Sequence, residues 1–198
     1  MSSRLTSRAA AAAALAALAG ALPASAQPAR SATAAQTQLC YQANQSAGEG
    51  RARVQAAARQ GGAASAFAEG CAALADDRFE AAQAAFERAV AADDASPVYH
   101  FFLGQAYGAQ AQRANVLRQA GLARKVKAEF ERAVALDPDY VDARLGLMEY
   151  YLQAPGIMGG SQQKAREQAY EVRKRSPYRG AFVYAQLAAR SKDVPGVM

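Results

Sequence analysis

The sequence predicts an all-α chain of antiparallel helix pairs stacked one upon the next, and three observations carry that expectation. The run Phe86-Glu87-Arg88-Ala89-Val90 recurs letter for letter at 130–134. Gly70 and Gly104 precede those runs and lie 34 residues apart, whereas the runs are 44 apart. One unit of 34 residues therefore repeats, with about 10 extra residues inside its second copy, and a period of that length belongs to stacked helix pairs. Finally, Phe79, Ala82, Phe86, Ala89 and Val90 fall at three- and four-residue spacing, the mark of a helix with one apolar stripe.

Within the second copy stand Leu103, Gly104, Tyr107, Phe130, Ala133 and Pro138, with His100 and Val126 at two further positions of the pattern. The first copy keeps Gly70, Ala82, Phe86 and Ala89, and a third keeps Leu147, Tyr151, Ala165 and Pro177. On these residues the chain resembles a tetratricopeptide-repeat (TPR) protein over roughly 63–191. The turn Ala-Pro-Gly-Ile-Met-Gly-Gly-Ser at 154–161 is similar to that of a secreted bacterial subgroup of the family. The resemblance implies a right-handed TPR solenoid of about three units plus a capping helix. It also implies a non-catalytic scaffold that takes a peptide or partner protein in its concave groove.

Taken in order, residues 1–26 read as a signal peptide. Arg4 and Arg8 give the charged start, 9–22 the apolar stretch, and Ala24-Ser25-Ala26 the small-residue cleavage site. The apolar stretch is shorter than the roughly 20 residues a membrane span needs, so no transmembrane segment is expected and the mature chain would be periplasmic or secreted. Residues 27–62 form an N-terminal lead-in: 27–37 loose, short helices over 36–45 and 51–59, and glycines between them. The repeats come next as helices over 63–75, 78–92, from Ser96-Pro97 onward, 140–153, 162–175 and 181–190, with Asp77 and Glu80 in the form of a capping box. The extra residues around 110–121 lengthen the second pair or add a turn. A loose tail over 192–198 closes the chain.

A small residue on one helix lets a large one on its partner approach, so Gly104 is a gap for which Phe130 and Tyr107 are candidate fillers. Cys40 and Cys71 are the only cysteines. In an exported chain an even count suits a disulfide, here Cys40–Cys71 tying the lead-in to the first repeat; two small buried apolar side chains are the alternative.

The formal charge of +6 becomes +4 without Arg4 and Arg8, 21 basic against 17 acidic residues. That balance is diffuse and shows no basic stripe with interleaved aromatics, so no nucleic acid is expected. The most basic stretch, with Arg113, Arg118, Arg124, Lys125 and Lys127, reads as a solvated face or a weak contact with anionic surfaces. Catalytic and metal constellations are not recognisable. His100 is the sole histidine, nucleophile motifs are missing, and the paired aspartates lie at helix ends where Asp caps. No catalytic, metal or cofactor residue is therefore assigned, and the chain is read as no enzyme.

The candidates that remain are groove residues. If the solenoid holds, Phe67, Phe101, Leu145 and Tyr184 fall at equivalent places in successive first helices and form an apolar row, which either meets a ligand or simply packs adjacent repeats together. Cys71, Gln105 and Glu149 lie one turn further on and form a mixed polar row. The alternative reading is a small-anion or nucleotide-binding protein or enzyme using the glycine turn at 156–161, since glycine-rich approaches to helix N-termini bind phosphate. That turn lacks the Gly-Lys-Ser/Thr ending and a preceding strand.

Overall fold

The structure is a computed structural model that describes residues 26–45 and 48–190. The chain divides into two units, Met1–Ala32 and Thr33–Met198. Of the first, only the opening turns of α1 are described, and the repeats all belong to the second. The signal-peptide reading of 1–25 and the tail at 192–198 lie outside the described residues.

Among the described residues every regular element is helical: α1 Ala26–Gln45, α2 Glu49–Ala58, α3 Gly62–Ala75, α4 Phe79–Ala92, α5 Pro97–Arg113, α6 Val116–Leu136, α7 Val141–Gln153, α8 Gln162–Arg175 and α9 Pro177–Arg190, with a 3-10 turn at Gly156–Met158. Helices α3/α4, α5/α6 and α7/α8 form the closest pairs, and α4/α5, α6/α7 and α8/α9 join pair to pair. The fold is all-α, as expected. The extra residues of the second copy extend α5 to 17 residues and α6 to 21, against 14 each in α3 and α4.

Local chemistry explains the boundaries. Ser96 accepts from Tyr99 N at 3.4 Å and Asn115 from Arg118 N at 3.0 Å, while Ser161 accepts from Lys164 N at 3.3 Å. Each is a side-chain oxygen satisfying a helix-start amide. The capping box expected at Asp77 and Glu80 is absent. The N-cap is Arg78, and Asp77 instead occupies the left-handed region at φ 57°. There it closes α3, with Asp77 N to Leu74 O at 3.1 Å and Arg78 N to Ala73 O at 2.9 Å. That pair of bonds is the Schellman ending, which normally places glycine where Asp77 stands. Two further boundaries differ from expectation. The helix α1 begins at Ala26, so 27–37 is helical rather than loose, and α9 begins at Pro177, four residues before 181. Pro177 opens α9 as Pro97 opens α5, at the position where its missing N–H costs nothing.

Close approach of the paired helices rests on glycine. A Cβ built on Gly70 would stand 2.5 Å from Phe86 Cδ1 and nearer still to Cε1. On Gly104 it would stand 2.7 Å from Phe130 Cε1, so Phe130 fills that gap. Tyr107 does not; its hydroxyl donates to Glu87 at 2.7 Å. The tip of the Phe130 ring meets Gly146 of α7, whose Cβ would lie 3.0 Å from Cζ. One ring is thus held between glycines of two helices. The core continues as touching rings: Phe67 lies 5.7 Å from Phe86, 5.0 Å from Tyr99 and 5.5 Å from Phe102. Phe101 lies 5.0 Å from Phe102, 5.7 Å from Phe130 and 5.3 Å from Tyr140. Burial of each such ring contributes about 1.5–3 kcal/mol. The exposed ion pairs, such as Arg88 of α4 with Glu69 of α3 and Arg132 of α6 with Asp94 of the α4–α5 connection, contribute about 0–1 kcal/mol each.

Candidate functional site

The second half of α1 lies where the sequence reading placed a peptide. Cys40 is bridged to Cys71 of α3, with Cα atoms 4.8 Å apart. Gln36 donates to the Tyr99 hydroxyl at 3.4 Å, Thr37 shares a 2.8 Å hydrogen bond with the Tyr140 hydroxyl, and the Tyr41 ring stands 5.9 Å from Phe102. Residues 33–45 therefore run across α3, α5 and the start of α7, and Thr37, Cys40 and Ala43 are buried there. The expected disulfide is present.

This placement corrects half of the proposed row of groove residues. Phe67 and Phe101 are each 1 % exposed and sit inside the ring cluster, so neither can meet a ligand. Leu145 and Tyr184 are half-buried and packed against the core rather than turned into a groove; the Arg173 guanidinium lies over the Tyr184 ring at 5.5 Å. The second row fares differently. Cys71, Gln105 and Glu149 all line one cavity of about 690 Å³ bordered by α3, α5, α6 and α7, with Tyr41 and Pro155 also on its lining.

Gly104, Phe130 and Gly146 line this cavity, together with small residues such as Gly108, Ala109 and Ala123. Polar groups enter as amides: Gln105, Gln112, Gln119 and Gln153. Of these, Gln153 donates to Glu149 at 2.8 Å and Gln119 to Ala111 O at 3.3 Å. Among the described residues, Asp77 and Glu149 are the only charged ones on its lining. Burial, reinforced by Asp142, pushes the Tyr41 hydroxyl up to about 12. Burial likewise raises Tyr150, whose hydroxyl donates to Met158 O. Both stay protonated near neutrality. A groove of amides, small side chains and two carboxylates can hold a ligand by shape and by paired donors and acceptors. Gln112 and Gln153 were missed by the sequence reading, although helical spacing reaches Gln112 seven residues on from Gln105 and Gln153 four on from Glu149.

His100 lies elsewhere, 4 % exposed, on the side of α5 that faces α6. Its Nδ1 is 2.6 Å from Glu129 Oε2, and its Nε2 is 3.1 Å from Asp94 O and 3.3 Å from Asp94 Oδ1. Burial pulls its pKa down, but the Glu129 hydrogen bond, the Asp94 carbonyl and both carboxylates outweigh it and hold the pKa above the ordinary value. It packs in the position expected for a helix-spacing residue and clamps α5 to α6. Among the described residues no cluster of His, Cys, Asp and Glu could hold a metal ion, and no helix is long and apolar enough to cross a membrane.

Four backbone amides of the glycine turn are already engaged. Met158 N and Gly160 N donate to Pro155 O at 2.8 and 3.1 Å, Gly159 N to Gly156 O at 2.9 Å, and Ser161 N to Tyr151 O at 2.9 Å. Gly159 has φ 90°, and a Cβ on Gly160 would collide with the Ala154 carbonyl. Backbone geometry accounts for both glycines. The basic stretch is similarly engaged: Arg113 stands over the Phe79 ring at 4.2 Å, Lys125 over Tyr107 at 4.8 Å, and Lys127 is 3.6 Å from Glu131. Comparison with protein-family models, curated proteins and solved structures found no match to the chain.

Proposed function

We propose that this chain is a non-catalytic TPR-type interaction module of the bacterial periplasm, holding a peptide segment of a partner protein in the groove that Gln105 and Glu149 line. The observation supporting this reading is that the polar row predicted one turn beyond the aromatic row lines a single cavity, each of its three residues coming from the first helix of a successive pair. Stacked helix pairs commonly present such a surface to an extended or helical segment. The side chains there offer amides and two carboxylates, donors and acceptors that suit holding a peptide segment.

Display of a random peptide library against the chain tests the reading. Gln105→Trp and Glu149→Arg alter exposed groove positions without touching the ring cluster. Selected peptides should bind the parent chain and weaken by about tenfold or more on either variant, equivalent to about 1.4 kcal/mol, with melting unchanged. Binding indifferent to both substitutions would refute the groove as the site. Phe101→Glu is unsuitable, because it buries a charge in the core.

A further inference from the structure

We infer that the outer face of α9 is a self-association surface on which a second copy of this chain docks antiparallel. The helix is apolar on two opposite faces. Gly180, Val183, Tyr184 and Leu187 point inward, and a Cβ on Gly180 would stand 2.5 Å from Arg173 Cα, so α9 lies hard against α8. Opposite them, Tyr178, Phe182, Ala185 and Ala189 fall within an arc of about 60° at 100° per residue, and all four are exposed. Tyr178 is 88 % exposed and Phe182 69 %. A helix apolar on both faces belongs between two neighbours, one on its inner face and one on its outer face. Among the described residues nothing covers this one.

The order of sizes along the stripe selects the occupant. Both large residues lie in its first half and both alanines in its second. Run antiparallel to itself, the stripe sets Tyr178 against the partner's Ala189 and Phe182 against the partner's Ala185. The two pairings share one dyad, midway between 183 and 184. This is the arrangement an isologous two-fold contact requires, and it repeats between chains the large-into-small packing of Phe86 on Gly70 and Phe130 on Gly104. None of the four stripe residues is charged, so shape rather than charge sets the partner. An exposed aromatic ring can contribute roughly 150–250 Å². Two rings and two alanines from each copy then bury on the order of 1,000 Å² in total, at the lower end of specific interfaces. The dimer is accordingly weak and reversible.

Sedimentation velocity of the purified full chain, from about 1 to several hundred micromolar, should show the average mass climbing from monomer towards dimer. Phe182→Glu should abolish the climb with unchanged helix content, since the side chain is exposed. Register is read separately by mixing chains carrying Tyr178→Cys with chains carrying Ala189→Cys, the native cysteines being already bridged. The antiparallel pairing predicts a disulfide only between the two different variants. Like residues would stand roughly 16 Å apart by helical rise, too far to bridge. A chain that stays monomeric throughout, a dimer indifferent to Phe182→Glu, or a Tyr178→Cys chain that bridges to itself would each overturn the inference.

Discussion

Replacing Gly70 by alanine should destabilise the chain, although alanine is ordinarily the better helix residue. In a helix interior the exchange gains about 0.5–1 kcal/mol through backbone entropy. Gly121 of α6 has nothing within 4 Å of its built Cβ and should show that gain undiminished. At Gly70 the new methyl would press on Phe86, which is 0 % exposed and ringed by Phe67 and Phe102, leaving it nowhere to turn. Overpacking of that kind costs about 1–3 kcal/mol, so the net loss is about 1–2 kcal/mol. Gly104→Ala, against the slightly more distant Phe130, should lose somewhat less, and Gly146→Ala, at 3.0–3.2 Å from the same ring, should come out near zero. Urea unfolding of the four variants tests the ladder, and thermal shifts of about 2–4 °C per kcal/mol should accompany it in a chain of this length. Phe86→Leu in the Gly70→Ala background should recover part of the loss, giving a favourable coupling in a double-mutant cycle. If Gly70→Ala stabilises as Gly121→Ala does, the close-approach argument fails, and with it the account of how the pairs interlock.

Other substitutions probe other parts of the structure. Asp77→Gly should raise stability by about 1 kcal/mol, because it removes an L side chain from the left-handed region at the end of α3; an unchanged urea midpoint would contradict the strain. Cys40→Ser/Cys71→Ser should lower stability by about 3.5–4 kcal/mol, the entropy of closing a loop with 31 residues of separation, read by urea unfolding against the bridged chain. Glu129→Gln should cost about 1–3 kcal/mol by weakening the partner of buried His100. The raised pKa of His100 fixes a sign as well. Its contribution is complete below the unfolded value near 6.5 and disappears as pH rises through the folded value. The melting temperature of His100→Gln should therefore vary less across that window than the parent's; equal pH dependence would show that another group is responsible.

Repeat spacing made the helix pairs and their boundaries legible, because Phe86 and Phe130 recur with their glycines and because Ser96, Pro97 and Ser161 each have a local reason to start a helix. Gly104 against Phe130 could be read from the same logic. Asp77 could not: the cap signature fits its position in the chain, but the Schellman bonds of α3 claim its backbone first. The aromatic row misled for a related reason. Helical spacing tells which residues share a face, not what lies over that face. What adjoins it is residues 33–45, whose weak pattern of Thr37, Cys40 and Ala43 does not align with any repeat. Gln105 and Glu149, one turn beyond, are exposed, whereas Cys71 of the same row is bridged to Cys40 and buried. Gly146 escaped notice since its relation to Phe130 runs to the next pair, a distance no single repeat encodes.

The ring of Phe130 is at once the wedge between α5 and α7 and part of the surface a groove ligand would touch. Depth and cohesion are therefore set by one side chain. A smaller residue there would open more room for cargo while loosening the joint between consecutive pairs; a larger one would force both glycine-bearing backbones apart. Any diversification of what this chain accepts should consequently accumulate at Gln105, Gln112, Glu149 and Gln153, with Phe130 left alone.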